Sequence, residues 1–324
     1  ETVKTVSQDI CKTWNLTIPV GKDSLSMETK WQDHKNTSPE SLIISAFAPV
    51  KNINRSITPM MSDKEDLVLV RINFGSNKMR LGGSILSQVI DKDFDECPDI
   101  EDIKIFPEVF NKICQFIEDK KIIALHDISD GGLVTSVIEM MFASNLGVDI
   151  DFDLEDKELK EILFAEEPGL VIQMTNKDFM ELRDQLNKID FEKVCVLGKT
   201  NKHEQLVIKS KTFNERINLN DLMKHWSKVS SEIKKLRDNP KSAEEEEESY
   251  LNRNKIILNQ EFSFDIPKNI SFKNKPKLAV IREQGVNGQI EMAAAFEKTG
   301  FEVADVHMND LIDKNLTLNS FQGI

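Results

Sequence analysis

The run HDISDGG, His126 to Gly132, sets a histidine, two aspartates, a serine and two glycines side by side. The apolar run Ile122 to Leu125 just before it reads as a short buried strand. After it, Leu133, Val134, Val137, Ile138, Met141 and Phe142 recur at helical spacing. The polar cluster therefore falls on a strand-to-helix turn. Such a turn gathers backbone N–H groups at a helix N-terminus, where anions are favoured. Glycine lets a ligand come close to the backbone. Carboxylate and phosphate repel each other, so aspartates beside a phosphate make sense with a Mg²⁺ between them. One reading is thus a metal–phosphate site. The other is an ordinary helix start, with Ser129 or Asp130 capping the first turn. His126 reads as a packed, hydrogen-bonded histidine in preference to a catalytic base.

A second candidate is VGKDS, Val20 to Ser24. Gly21 permits a tight turn, Lys22 is a point charge suited to phosphate, Asp23 is a hard metal ligand and Ser24 a donor to phosphate. The Walker spacing is missing, so this is not a P-loop, and a plain polar turn is the competing reading. NKMRLGGS reads either as a phosphate nest around Gly82 and Gly83 or as a flexible strand-to-helix loop. Glu166 and Glu167 are adjacent. Neighbours on a helix do not face one another, which favours a role at a helix end over a carboxylate pair.

The elements that must carry these residues alternate. DLVLVRINF is a strand ahead of NKMRLGGS, and PEVFNKICQFIED is an amphipathic helix with Val109, Ile113, Phe116 and Ile117 on one face. Pro107 suits its first turn. VDIDFDL, LVIQM, KVCVLGKT and EQLVIKS read as strands, KDFMELRDQLNKI as a helix, and SLIISAFAPV as an apolar strand closed by Pro49. Interleaved strands and helices give an α/β or α+β class. Near the end, KLAVIREQG, NGQIEMAAAFEKTG and FEVADVHM form one β–α–β unit. Ahead of this unit, residues 228–275 are charged and poor in apolar groups, with five glutamates at 244–248, and read as a linker in which a protease is expected to cut first within 228–262.

With 324 residues the chain has room for more than one domain. It is 40% hydrophobic and 30% charged, as soluble globular chains are. A net charge of −13 argues against nonspecific nucleic-acid binding, which needs Lys and Arg against phosphates. No apolar run is long enough to span a bilayer, so no membrane partner is expected. Cys11, Cys97, Cys114 and Cys195 are scattered, without C-x-x-C, which points to reduced, structural thiols and a cytoplasmic setting.

LTIPVGKDSLSM, SLIISAFAPV, LHDISDGGLVTSVIEMMFASNLGVDI, LFAEEPGLVIQM and LAVIREQGVNGQIEMAAAFEKTGFEVADVHMNDL together resemble the large, single-chain form of the phosphoribosylformylglycinamidine synthase family. The resemblance implies an α/β and α+β multi-domain chain. Residues 1–55 would be the tail of the second ATP-binding synthetase domain, and 65–227 its companion α/β domain, similar to aminoimidazole ribonucleotide synthetase. Residues 228–275 would be the linker, and 276–324 the truncated, flavodoxin-like start of a class I glutamine amidotransferase domain. The chain would then be a fragment of an enzyme that is monomeric at full length. The implied reaction joins formylglycinamide ribonucleotide, ATP and glutamine to give formylglycinamidine ribonucleotide, glutamate, ADP and phosphate. By the same resemblance Asp127 binds Mg²⁺ and Ser129 the adenine nucleotide, ATP or ADP, with Asp130 left as the cap. The nucleotide would be retained as a structural ligand, and the fragment alone would be a binding module without turnover. Gly21, Lys22 and Ser24 would lie near the nucleotide cleft. The glutaminase Cys, His and Glu would lie beyond this chain, since no Cys follows Cys195 and His307 has no nucleophile to serve. The β–α–β piece is then expected to leave a sheet edge uncovered.

Overall fold

The computed structural model describes residues 2–19, 21, 27–38, 41–50, 52–75, 78–94, 96–152, 154–188, 191, 193–251 and 272–324. Of the expected site residues, Lys22, Asp23 and Ser24 lie outside them. The chain divides into two compact units, Glu1–Arg253 and Asn254–Ile324.

The first unit opens with α1 (Thr2–Lys4), a π-helical turn (Thr5–Ile10) and α2 (Cys11–Trp14). The Trp14 indole donates to the Ile103 carbonyl at 2.6 Å and stacks on Phe106 with ring centroids 4.6 Å apart. An exposed hairpin follows, β1 (Glu28–Trp31) with β2 (His34–Thr37). SLIISAFAPV, read from its apolar pattern as a strand, joins no sheet: Ile43 is 89% and Phe47 95% exposed. An apolar strand is stable only against neighbours that cover its face, and the described residues place none there.

The body of the unit is one seven-stranded sheet. Its strands are β3 (Leu67–Asn73), β4 (Ile122–Ile128), β5 (Gly147–Asp151), β6 (Gly169–Thr175), β7 (Val194–Asn201), β8 (Gln205–Lys209) and β9 (Asn214–Asn218), in the order β4-β6-β3-β7-β5-β8-β9. All neighbours are antiparallel except β5 and β8. The helices are α3 (Ile85–Val89), α4 (Phe106–Glu118), α5 (Gly132–Ser144), α6 (Asp156–Phe164), α7 (Asn176–Asn187), α8 (Leu219–Arg237) and α9 (Pro240–Leu251).

Strand periodicity sorts the core into two layers. Leu69, Val171, Val148, Ile150 and Leu206 meet Leu133, Val137, Met140 and Met141 of α5, Leu159 and Leu163 of α6, and Leu219 of α8. Val70, Ile72, Ile172 and Met174 meet Val109, Ile113 and Phe116 of α4 and Phe179, Leu182 and Leu186 of α7 on the other side. Because β3 is covered on both faces, its sequence is a near-continuous apolar run and not an alternation. Pro107 stands in the first turn of α4, as its fixed φ favours. Thr175 caps α7, its hydroxyl accepting from the Asp178 N–H at 3.0 Å.

The stretch from 228 onward departs from the expected linker. Through residue 251 it is the body of α8 and then α9. Small side chains replace the large apolar ones a core-based reading looks for: Ser227, Ser231 and Ala243 are buried. Lys234 and Lys235 of α8 reach Glu246 and Glu247 of α9 at 2.5 and 3.0 Å. Part of the glutamate block is thus paired across a helical hairpin. Residues 252–271 lie outside the described residues.

The second unit pairs β10 (Lys277–Arg282) in parallel with β11 (Glu302–His307) through α10 (Gln289–Lys298), the expected β–α–β. Leu278, Ala279 and Val306 are buried, and Gly323 bridges beside Leu278. So the far edge of β10 is partly covered by the chain's own last residues. His307 caps α11 (Met308–Ile312), its Nδ1 accepting from the Asn309 N–H at 3.1 Å. Among the described residues no helix is long and apolar enough to cross a membrane.

Candidate functional site

HDISDGG lies where the sequence places it, at the end of edge strand β4 and the start of α5. The local reason is the change of pattern: buried Ile122, Ala124 and Ile128 hold the strand, then Leu133, Val134 and Val137 hold the helix. Asp127 and Ser129 are exposed, and the Asp127 side chain is 70% exposed. His126 is held at both ring nitrogens. Nδ1 lies 2.7 Å from the Asp127 carbonyl oxygen and Nε2 3.1 Å from Glu139 Oε2. The other Glu139 oxygen accepts from the Trp226 indole of α8 at 3.0 Å. The Asp127 carbonyl also accepts from Ser136 Oγ at 2.8 Å, which ties the turn to α5.

The cap differs from expectation. Gly131, left-handed at φ 84°, is the N-cap of α5, and no side chain of the turn caps it, Asp130 included. Its N–H donates to Glu166 Oε1 at 2.8 Å. The Gly132 N–H donates to the Ser129 carbonyl at 2.9 Å. These two N–H groups are therefore already used. The Asp127 carboxylate, with one oxygen 3.4 Å from His126 Nδ1, and the side chains of Ser129 and Asp130 face solvent.

Neither reading of NKMRLGGS survives as it stood. The Gly82 N–H donates to the Glu96 carbonyl at 2.7 Å and so is not open to a phosphate, and Arg80, Leu81, Gly82 and Ser84 are buried, while Lys78 and Gly83 are exposed; over 80–84 the chain is a largely packed turn. Ser84 caps α3 by accepting from the Ser87 N–H at 3.2 Å. Arg80 is the turn's anchor. Its backbone N–H, Nε and Nη2 all donate to the Glu167 carboxylate, at 3.0, 2.7 and 2.9 Å, and Nη1 donates to Glu101 at 3.1 Å. Glu167 is wholly buried, and its hydrogen bonds raise the Arg80 pKa further above its ordinary value, against the opposing pull of burial. Arg71, buried nearby on β3, is shifted the other way by its burial.

Glu166 and Glu167 follow α6 in an extended loop, ahead of Pro168. Neighbours in extended chain point to opposite sides. Glu167 turns inward to Arg80, whereas Glu166 Oε1 accepts from Gly131 N–H and from Ile85 N–H, each at 2.8 Å. Glu166 does serve at helix ends, those of α5 and α3. Three stretches remote in sequence, HDISDGG, RLGGS and AEEPG, thus meet in one place.

Mg²⁺ is met by one or two carboxylates plus phosphate oxygens and waters, and seldom by an all-protein cage. Asp127 fits that role as a single exposed carboxylate, and among the described residues no group of three His, Cys, Asp or Glu converges. Gly21 is exposed, with nothing within 4 Å of where a side chain would start. A groove of about 850 Å³ lies over β5, β7, β8 and β9, between Asp149, Asp151, Lys199, Lys209 and Arg216, and includes no residue of HDISDGG. Burial pushes the Cys114 thiol up, which fits a structural thiol.

Three family models match in sequence order: the FGAR-AT PurM_N-like domain over residues 1–49, the C-terminal domain of AIR synthase related proteins over 66–211, and the CobB/CobQ-like glutamine amidotransferase domain over 275–324. Among solved structures, the chain is similar to Thermotoga maritima PurL complexed with ATP, at 13% identity and TM-score 0.41, over 52% of this chain and 27% of that one. It is similar to PurLQS from Thermotoga maritima at 11% identity and TM-score 0.40, over 76% and 34%. T. maritima PurL complexed with FGAR matches at 11% identity and TM-score 0.40, over 78% and 36%. The chain thus spans little more than a third of those proteins at most. With these three domains in this order along one polypeptide, the chain belongs to the phosphoribosylformylglycinamidine synthase family.

Proposed function

We propose that this chain supplies the nucleotide-holding second synthetase half, and the opening of the glutaminase domain, of an ATP- and glutamine-dependent ligase. The whole enzyme converts formylglycinamide ribonucleotide to formylglycinamidine ribonucleotide in purine synthesis, releasing glutamate, ADP and phosphate. The domains are residues 1–55, 65–227 and 276–324. The observation that carries the reading is the HDISDGG turn, which presents Asp127 and Ser129 to solvent side by side on a tightly held backbone.

Asp127 would hold Mg²⁺, and Ser129 would donate to a phosphate of ATP or ADP. Bound there, the ion neutralises phosphate charge that the carboxylate alone would repel. His126 keeps the turn in place through Glu139 and takes no proton from substrate. By the family resemblance Gly21, Lys22 and Ser24 would contribute near the nucleotide cleft. A ligand bound to the folded chain alone stabilises it by mass action, which suits a retained nucleotide.

Replacing Asp127 by Ala should weaken ADP binding in Mg²⁺ at least tenfold, roughly the worth of one charge-assisted contact, and change little in EDTA. Ser129→Ala should cost about 1 kcal/mol, as for one neutral hydrogen bond. Calorimetry on both variants checks the ranking. Equal binding by wild type and Asp127→Ala in Mg²⁺ would remove Asp127 from the site.

A further inference from the structure

One oxygen joins two glycine-bearing turns that the sequence keeps far apart. Glu166 Oε1 accepts at 2.8 Å from Gly131, the N-cap of α5, and at 2.8 Å from Ile85, the first residue of α3. Helix starts leave such N–H groups without an intrahelical partner, and a carboxylate there also meets the positive end of the α5 dipole. No side chain of HDISDGG caps α5, so Glu166 fills the cap's place from another element.

The base under Glu166 is fastened on several sides. Next to it Glu167 is wholly buried against Arg80, the residue that opens RLGGS. The Pro168 carbonyl accepts from the Phe74 N–H at 2.7 Å. The backbone of Phe164 and Ala165 packs so closely on Gly132 that a side chain there would stand 2.7 Å from Phe164. A carboxylate on such a base cannot follow one turn without pulling the other.

We propose that Glu166 is a positioning residue that couples HDISDGG to RLGGS, so that a magnesium-bound nucleoside diphosphate taken up at Asp127 and Ser129 also tightens the start of α3. The coupling to a nucleotide rests on the reading of HDISDGG given above; the clamp itself does not.

Amide exchange at Gly131 and Ile85, read by NMR on the whole chain with and without Mg²⁺ and ADP, tests both parts. In Glu166→Ala both amides should exchange about tenfold faster or more, the worth of a lost charge-assisted hydrogen bond. Glu166→Gln keeps an acceptor oxygen of the same reach and should stay within about threefold of wild type, as a neutral bond replaces a charged one. Adding Mg²⁺ and ADP should slow Ile85 exchange in wild type and in Glu166→Gln, and leave it unchanged in Glu166→Ala. Unchanged exchange at either amide in Glu166→Ala would overturn the clamp. Equal nucleotide-induced slowing of Ile85 in wild type and Glu166→Ala would overturn the coupling. If wild type binds no ADP in calorimetry, the nucleotide reading fails, while the paired loss of protection at Gly131 and Ile85 still decides the clamp.

Discussion

Replacing Glu167 by Ala is expected to cost the first unit about 3 kcal/mol of stability, as breaking one side of a buried ion pair does. Glu167 is wholly buried, and the Arg80 side chain that it holds through two bonds is 7% exposed. Truncation leaves the guanidinium desolvated with one carboxylate, Glu101, and the Asp99 carbonyl. Those remaining partners keep the expected loss at the lower end of the range for an orphaned buried charge, about 3–5 kcal/mol. The Arg80 backbone N–H also loses its acceptor. Urea unfolding followed by circular dichroism measures the change, with the double substitution Arg80→Ala/Glu167→Ala closing a cycle. A loss under about 1 kcal/mol would show that the pair contributes no more than an exposed one.

Gly132→Ala should be nearly as damaging, for a steric reason. Gly132 opens α5 at φ +73°, a left-handed conformation that costs a side-chain-bearing residue about 1–2 kcal/mol. A methyl there would also stand 2.7 Å from the Phe164 carbonyl carbon and 2.9 Å from the Leu163 and Ala165 oxygens. Those are backbone atoms, which yield only if the end of α6 moves, adding about 1–3 kcal/mol. Gly83 is the control: φ is +72°, but a methyl would meet only Cys97 Sγ, at 3.9 Å. Gly83→Ala should cost about 1–2 kcal/mol from conformation alone. Equal losses at the two positions would mean that the close approach of α6 is not what demands glycine at 132.

Much of this architecture is legible in local pattern. The apolar run that opens β4, the helical spacing of α5 and the Pro107 start of α4 are all local features, and the site turn falls between the first two. The contacts that hold the turn are not local. Glu166 reaches 35 residues back to Gly131 and 81 back to Ile85, and Glu167 reaches 87 back to Arg80. No periodicity carries such information, and a rule for helical neighbours was the wrong one for a doublet followed by Pro168. Pro disfavours helix in the residue before it, so an extended doublet with opposite-facing acids was the available signal. The α8–α9 hairpin is illegible for another reason: its buried positions include the small Ser227, Ser231 and Ala243, and Lys–Glu pairs cross between the helices, a composition that reads as solvated chain.

Titration of the intact chain with ADP by isothermal calorimetry, once with Mg²⁺ and once with EDTA, tests the central claim that HDISDGG is a metal-dependent nucleotide site. Saturable binding at one site per chain in Mg²⁺, weakened by EDTA and by Asp127→Ala alike, is the predicted result. Absence of binding in Mg²⁺, or binding indifferent to both EDTA and Asp127→Ala, would contradict it.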